Sequence, residues 1–386
     1  MKYFVAPISI YNYLTYSCAN RLKQPNDIIP DINFLLRKAS ISNLKLHLVL
    51  IDVMEGRVYD NDIPTMLAEL EQVVKSFNVE YTFILDGDNQ EYSKITGIDN
   101  IVYSDFLAIS SYVNGVLPED QLLNESWNNT STKGLWTMGR AERPHRVLLL
   151  SKLWENNLLH KLDWSFYTYD SNRDYIRKNF LNHYDDETFE RFINESTRSL
   201  DFKVDIKSCQ DFHCTGYPFD SNLYKNTSFS IIAESDFNIY EDQTQWTPKI
   251  TEKTYRTIIN KHPFICAWYP GMIKKLKSKG YRTFENYATN PGYNNIIDLN
   301  DRLDATLKVV EDFHKSINQP EVVNKVRNDI EFNYQTYLNN VEIELAKLTH
   351  LFELPQLDAV QMTPTKLGRF MFPRTTNLFG QPADVP

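Results

Sequence analysis

The sequence predicts an α/β protein built from two Rossmann-like domains, followed by C-terminal helices and an extended tail. Three observations predict it. Residues 44–53 are a nearly unbroken apolar run, as a strand covered on both faces requires, and residues 80–85 repeat it after a segment of helical spacing. A succession of this kind is a βαβ unit with parallel strands. Residues 228–284 repeat the plan as strand, loop, helix and strand. A chain of 386 residues with 42% hydrophobic content is also long enough for about two domains and a tail.

Taken in order, residues 1–43 read as strand, turn and helix, with Leu35, Leu36 and Ile41 facing inward. The strand over 44–53 runs into Met54-Glu55-Gly56. Leucine and valine at helical spacing then predict a helix over 63–77, before the strand over 80–85, which ends in Asp86-Gly87-Asp88. Residues 120–135 are rich in Asn, Ser and Thr and read as a surface loop near a domain boundary. Beyond the basic stretch Arg140-Ala141-Glu142-Arg143-Pro144-His145-Arg146, residues 147–159 carry helical spacing and 164–169 read as a strand. Residues 170–205 are charged, helical in spacing and peripheral, and 217–227 form a Pro/Asn/Ser loop. Residues 229–233 are an apolar strand ending on Glu234. Residues 250–254 open a helix, and 263–268 form the next strand. Long helices follow over 299–317, with Leu303, Leu307, Val310 and Phe313 on one stripe, and over 322–352, separated at Asn318-Gln319-Pro320. Residues 354–386 contain five prolines and little periodicity, which predicts an extended tail.

Composition excludes several classes. A formal charge of −9 argues against a protein that coats nucleic acid non-specifically. Cys18, Cys209, Cys214 and Cys266 are too few and too scattered for a disulfide framework and suit a reducing compartment. Cys209, His213 and Cys214 could offer three metal ligands, but no second Cys/His cluster completes a tetrahedral site, so an ordinary loop is expected. The first ten residues have too interrupted an apolar run for a signal peptide, and no window approaches a membrane span. A cytoplasmic protein is expected.

The chemistry concentrates in residues 228–284. In open α/β sheets ligands bind at the carboxyl ends of the strands, where helix N-termini also present their free N–H groups. Glu234 belongs at such an end. Thr251 can cap the following helix, Glu252 can accept from ribose hydroxyls and Lys253 can meet a phosphate. Arg140 and Arg146 are candidates for the two charged oxygens of a diphosphate, because a guanidinium can meet both at once. Three arginines beside one helix start oppose its dipole, and an anion there would relieve them.

The order strand-Glu234, Thr251-Glu252-Lys253 and a strand near Pro263 resembles the donor-binding region of inverting nucleotide-sugar glycosyltransferases of the two-Rossmann kind, above all the α-1,3-fucosyltransferase family. Residues 273–284 resemble a run found in viral and bacterial proteins of the same core. His145-Arg146-Val147-Leu148-Leu149 is similar to that family's helix start, although Met138-Gly139 stands where Leu-Asn is expected, and Pro291-Gly292-Tyr293-Asn294 replaces an acid-Ser-Tyr-Asp run and is assigned no chemistry. The resemblance spans roughly residues 136–315. It implies two domains facing each other, with residues 1–135 for the acceptor, 136–315 for the nucleotide-sugar donor, a C-terminal helix over 316–352 crossing back, and a tail over 353–386.

The expected activity is inverting, metal-independent transfer of a sugar from a nucleoside-diphosphate sugar to a hydroxyl of a glycan, a protein or a modified nucleic acid. No further cofactor is implied, and host cytoplasm is the expected place if the chain is viral. Glu55, just beyond the strongest strand, is the candidate catalytic base, with a turn acid as its plainer reading. Two alternatives stay open. Asp86 and Asp88 could hold a cation for a metal-dependent transferase of the single-domain kind, although Asp-Gly is also the commonest turn pair. The chain could also be a non-catalytic structural or interaction protein that keeps a transferase-like fold.

Overall fold

The computed structural model describes residues 3–10, 16–17, 20–21, 25–52, 63–86, 97–105, 108–109, 127, 131, 133–140, 144–167, 185–195, 221–234, 250–267, 270–289 and 291–351. They form a mixed α/β protein with short parallel sheets and many helices. By its internal packing the chain divides into two units. One comprises Met1–Val113, Asn238–Glu241 and Val341–Pro386, and the other Asn114–Phe237 and Asp242–Asn340.

The first unit holds β1 (Tyr3–Ser9), α1 (Ile29–Ile41), β2 (Lys45–Asp52), α2 (Ile63–Lys75), β3 (Glu80–Asp86) and β4 (Ile101–Ser104). The strands are parallel and lie side by side in chain order, β1-β2-β3-β4. Leu46, Leu48 and Leu50 of β2 join Phe83 and Leu85 of β3 in one buried cluster with Ile32 and Ala39 of α1 and Met66, Leu67, Leu70 and Val74 of α2. The alternate residues Val49, Ile51 and Ile84 are buried as well. Because side chains alternate across a strand, both faces of this sheet are covered, which is why β2 reads as a continuous apolar run. Each such buried side chain contributes roughly 1.5–3 kcal/mol.

Two sequence expectations change here. Ile41 is 83% exposed. The inward stripe of α1 runs through Ile32, Leu35, Leu36 and Ala39, and a residue two positions past Ala39 lies about 200° round the helix from it. The strand β4 was not foreseen, since its four residues are too short to show alternation.

The second unit holds β5 (Gly134–Arg140), α3 (Pro144–Glu155), β6 (Leu162–Tyr167), α4 (Asp186–Glu195), α5 (Ser221–Lys225), β7 (Ser230–Ile232), α6 (Glu252–Ile259), β8 (Phe264–Cys266), α7 (Met272–Ser278) and α8 (Leu299–Ser316). Its strands are also parallel, but their order is β8-β7-β5-β6. The chain therefore moves outward from β5 to β6, then returns past β5 to add β7 and β8 on the other side. Its last helix, α9 (Pro320–Leu351), continues from residues of this unit into residues of the first. The short helix α5 corrects the expected loop over 217–227. Ser and Asn, which favour turns, also start helices.

Packing explains several sequence choices. A Cβ on Gly134 would approach Phe229 Cζ to 2.6 Å and Leu162 Cδ2 to 2.8 Å, so only glycine fits at the start of β5. Phe229 in turn meets Phe313 of α8 edge-on at 5.4 Å. The stripe Leu303, Leu307, Val310 and Phe313 is buried as its spacing predicts. The start of α9 at Pro320 uses proline where its missing N–H is harmless. Further along, Asn333 Oδ1 accepts from the Arg282 N–H at 2.7 Å, and its Nδ2 donates to the Arg282 carbonyl at 2.8 Å. Among the described residues no helix is long and apolar enough to cross a membrane.

Candidate functional site

The order of the second sheet puts a strand-order reversal between β5 and β7, and in open α/β sheets the crevice for ligands opens at such a reversal, beyond the carboxyl ends of the strands. Both neighbours of that point supply a charged side chain. Arg146, in the first turn of α3, is 4% exposed and donates from Nη2 to the carbonyl of Ala233 at 3.2 Å. Ala233 and Glu234 directly follow β7.

Glu234 is buried, and a buried carboxylate is tolerable only with hydrogen-bond donors around it. Three arrive from the start of α6. The Thr251 N–H donates to Oε1 at 3.0 Å, the Thr251 hydroxyl donates to Oε2, and the Thr254 hydroxyl donates to Oε1. Thr251 is extended (φ −109°) and is the N-cap of α6, its hydroxyl oxygen accepting from the Lys253 N–H at 3.3 Å. Lys253 is half-buried in this first turn. The inner face of α6 carries Tyr255 and Ile258, which hold the helix on the sheet.

The next strand end adds a second buried polar group. Cys266, a free thiol ending β8, lies beside Tyr293, whose hydroxyl donates to the Cys266 carbonyl at 2.8 Å. Burial, reinforced by the carboxylates of Glu234 and Glu285, pushes the Cys266 thiol well above its ordinary range, so it is a protonated packing group and no nucleophile. Burial likewise raises the Tyr293 phenol. Glu285 pairs with Lys277 Nζ at 2.5 Å, and Asn294 Oδ1 accepts the Ile273 N–H at 3.0 Å, holding the start of α7.

The opposite, amino edge of the same sheet is built differently. His262 is buried between Ser230 Oγ at 2.8 Å from Nδ1 and the Thr227 carbonyl at 2.9 Å from Nε2, with Tyr224 edge-on at 5.1 Å. Burial lowers its pKa to about 4, against a smaller opposing effect of the Thr227 carbonyl. It is a neutral strut.

Of the sequence candidates, Glu234, Thr251 and Lys253 come together, with Arg146 on the adjoining carbonyl. Arg140 is the last residue of β5, placed opposite Tyr167 after a register shift that begins at Thr137. Two β5 residues, Met138 and Gly139, separate those pairings where one β6 residue does, so Met138-Gly139 forms a bulge. Glu252 is the first residue of α6. Glu55 and Asp88 lie outside the described residues, as do Cys209, His213 and Cys214, while Asp86 ends β3 in the first unit. Thr254 was missed. Its signal was a polar residue at i+3 from Thr251, on the face that buries Tyr255 and Ile258. Buried Glu285, Tyr293 and Asn294 give the stretch over 285–294 a structural part where no chemistry had been assigned.

At the carboxyl end of β4 in the first sheet, Glu344 Oε2 accepts from the Ser104 hydroxyl at 3.0 Å and the Asp105 N–H at 3.4 Å, while Lys347 meets Oε1 at 2.7 Å. Among the described residues no group of three or more His, Cys, Asp or Glu is placed to hold a metal ion. Compared with protein-family models, curated proteins and solved structures, the chain matches none.

Proposed function

We propose that the second unit binds a nucleoside-diphosphate sugar and that the chain is an inverting, metal-independent glycosyltransferase of the two-domain kind, with the acceptor taken by the first unit. The observation that carries this is the position of the Arg146, Ala233, Glu234 and Thr251 arrangement. It lies at the strand-order reversal, where the α/β architecture collects ligands, and it holds Lys253 in the first turn of α6. Lys253 and Arg140 would meet the diphosphate and Glu252 the ribose.

In the reaction the acceptor hydroxyl oxygen attacks the anomeric carbon as the bond from that carbon to the diphosphate oxygen breaks. The hydroxyl proton passes to the carboxylate of Glu55. The charge left on the diphosphate is met by the cations, the kind of preorganised stabilisation that supplies much of a typical enzyme's rate. The acceptor is a glycan, a protein or a modified nucleic acid. A cytoplasmic setting fits the buried free thiol of Cys266.

A structural role for the same residues is the competing reading, favoured by the burial of Arg146 and Glu234 in hydrogen bonds to the chain itself. Release of nucleoside diphosphate from a panel of sugar nucleotides, with and without excess EDTA, separates the possibilities. Turnover that survives EDTA and the paired changes Asp86→Asn and Asp88→Asn is expected. Turnover abolished by EDTA and restored by manganese would replace this proposal with the metal-dependent mechanism, because the diphosphate would then need the ion as its counter-charge. Absence of turnover with every donor would favour the structural role.

A further inference from the structure

Many helices that start on Ser or Thr close their first turn locally, with an N3 carboxylate reaching back to the N–H of the N-cap residue. In α6 the N-cap is Thr251 and the N3 residue is Thr254, which has no carboxylate. The carboxylate comes instead from Glu234. It takes the Thr251 N–H at 3.0 Å, as an N3 glutamate would, and also takes the hydroxyls of Thr251 and Thr254. A local box would cap the helix equally well. The remote one does something more, because it ties the helix start to the end of β7. Next to it Ala233 accepts from Arg146 at the start of α3. Two consecutive residues past β7 therefore fix the first turns of two helices that begin on either side of the strand-order reversal.

A carboxylate has about four acceptor positions, and three donors already lie on that of Glu234, which is 3% exposed. A group so enclosed is poorly placed to touch a ligand. We propose that Glu234 is a positioning residue, acting through Thr251 and Thr254 to hold the first turn of α6, and hence Lys253, at the place a diphosphate requires. This rests on the nucleotide-sugar function proposed for the same site. Thr254 becomes a second member of the device, and its hydroxyl, more than its volume, is what matters. Displacement of a well-placed group by about 1 Å can cost orders of magnitude in an enzyme site, so a tie of this kind acts on affinity and turnover beyond its effect on folding.

The test is calorimetric titration of the full-length chain with UDP and GDP and with UMP and GMP. In the folded variants Glu234→Gln and Thr254→Val the affinity for the diphosphate that binds wild type should fall about tenfold, the scale of one charge-assisted hydrogen bond, while the monophosphate changes by less than about twofold. Thr254→Ser, which keeps the hydroxyl, should stay within about twofold of wild type. A purely structural Glu234 would lower stability in denaturant yet leave the ratio of diphosphate to monophosphate affinity unchanged. That result, with Lys253→Ala still weakening binding, would overturn the positioning role and leave the donor site standing. If wild type binds neither diphosphate, or Lys253→Ala binds like wild type, the donor site itself fails and this role with it. Should Glu234→Gln not fold, Thr254→Val carries the same comparison, since it removes one hydroxyl at nearly constant volume.

Discussion

The two parallel sheets have the same number of described strands but different orders, and the difference bears on where chemistry can occur. In the first sheet the strands follow one another in chain order, and the helices α1 and α2 contribute to a single apolar cluster on one face. No reversal opens a crevice among those strands. In the second sheet the order β8-β7-β5-β6 creates the reversal, and buried Arg146 and Glu234 stand beside it. The second sheet also differs between its own ends. Its carboxyl edge is held by an acid and two threonines, and its amino edge by a neutral histidine between Ser230 and Thr227. Similar βαβ patterning in sequence thus yields one sheet whose strands run in chain order and one with a strand-order reversal.

Substitutions at the different edges should separate these roles. The largest effect is expected at Glu55, the proposed catalytic base. Glu55→Gln should lower turnover by about 10²-fold or more, the usual contribution of a general base, with nucleotide-sugar affinity nearly intact. Retention of more than about a third of wild-type turnover, well short of that contribution, would leave Glu55 as a turn acid and move the base elsewhere.

Acid should act next, through the amino edge of the second sheet. The folded-state pKa of His262, about 4, lies below its ordinary 6.5, so the unfolded chain binds the extra proton. The contribution is therefore fully present above pH 6.5 and is lost as pH falls from 6.5 to about 4, where the loss approaches about 3 kcal/mol at 1.36 kcal/mol per pH unit. Denaturant unfolding across that window should show a steeper fall for wild type than for His262→Gln. Equal slopes would mean that the imidazole titrates normally in the folded chain.

A smaller loss is expected inside the same sheet. Gly134→Ala drives a methyl group against Phe229, whose ring Phe313 holds in place, and should cost about 1–3 kcal/mol of stability. Nucleoside-diphosphate affinity of the folded variant should stay at the wild-type value. An unchanged denaturation midpoint would show that the Phe229 ring can move aside.

The elements most legible in the sequence were those with local signals. The run ending on Glu234, the Thr251-Glu252-Lys253 helix start and the break at Pro320 each declare themselves within a few residues, and the structure places them accordingly. What escaped depends on distant partners. Thr254 gains its meaning from Glu234, twenty residues earlier, and Asn333 from Arg282, 51 residues away. Nothing in the local pattern of either residue announces the contact. Glu234 itself was legible as an acid at a strand end, but whether it faced a ligand or the following helix depended on donors that only the fold brings to it. Ile41 misled for the opposite reason, since an apolar residue at the last position of a helix need not lie on its buried stripe.

The central claim, that the carboxyl edge of the second sheet is a nucleoside-diphosphate site, is tested most directly by calorimetric titration of wild type and Lys253→Ala with nucleoside diphosphates. Wild type should bind, and the variant, equally stable in denaturant, should bind more weakly by about 1.5–3 kcal/mol, the range for a hydrogen bond to a charged group. Equal affinity in the two proteins would contradict the claim.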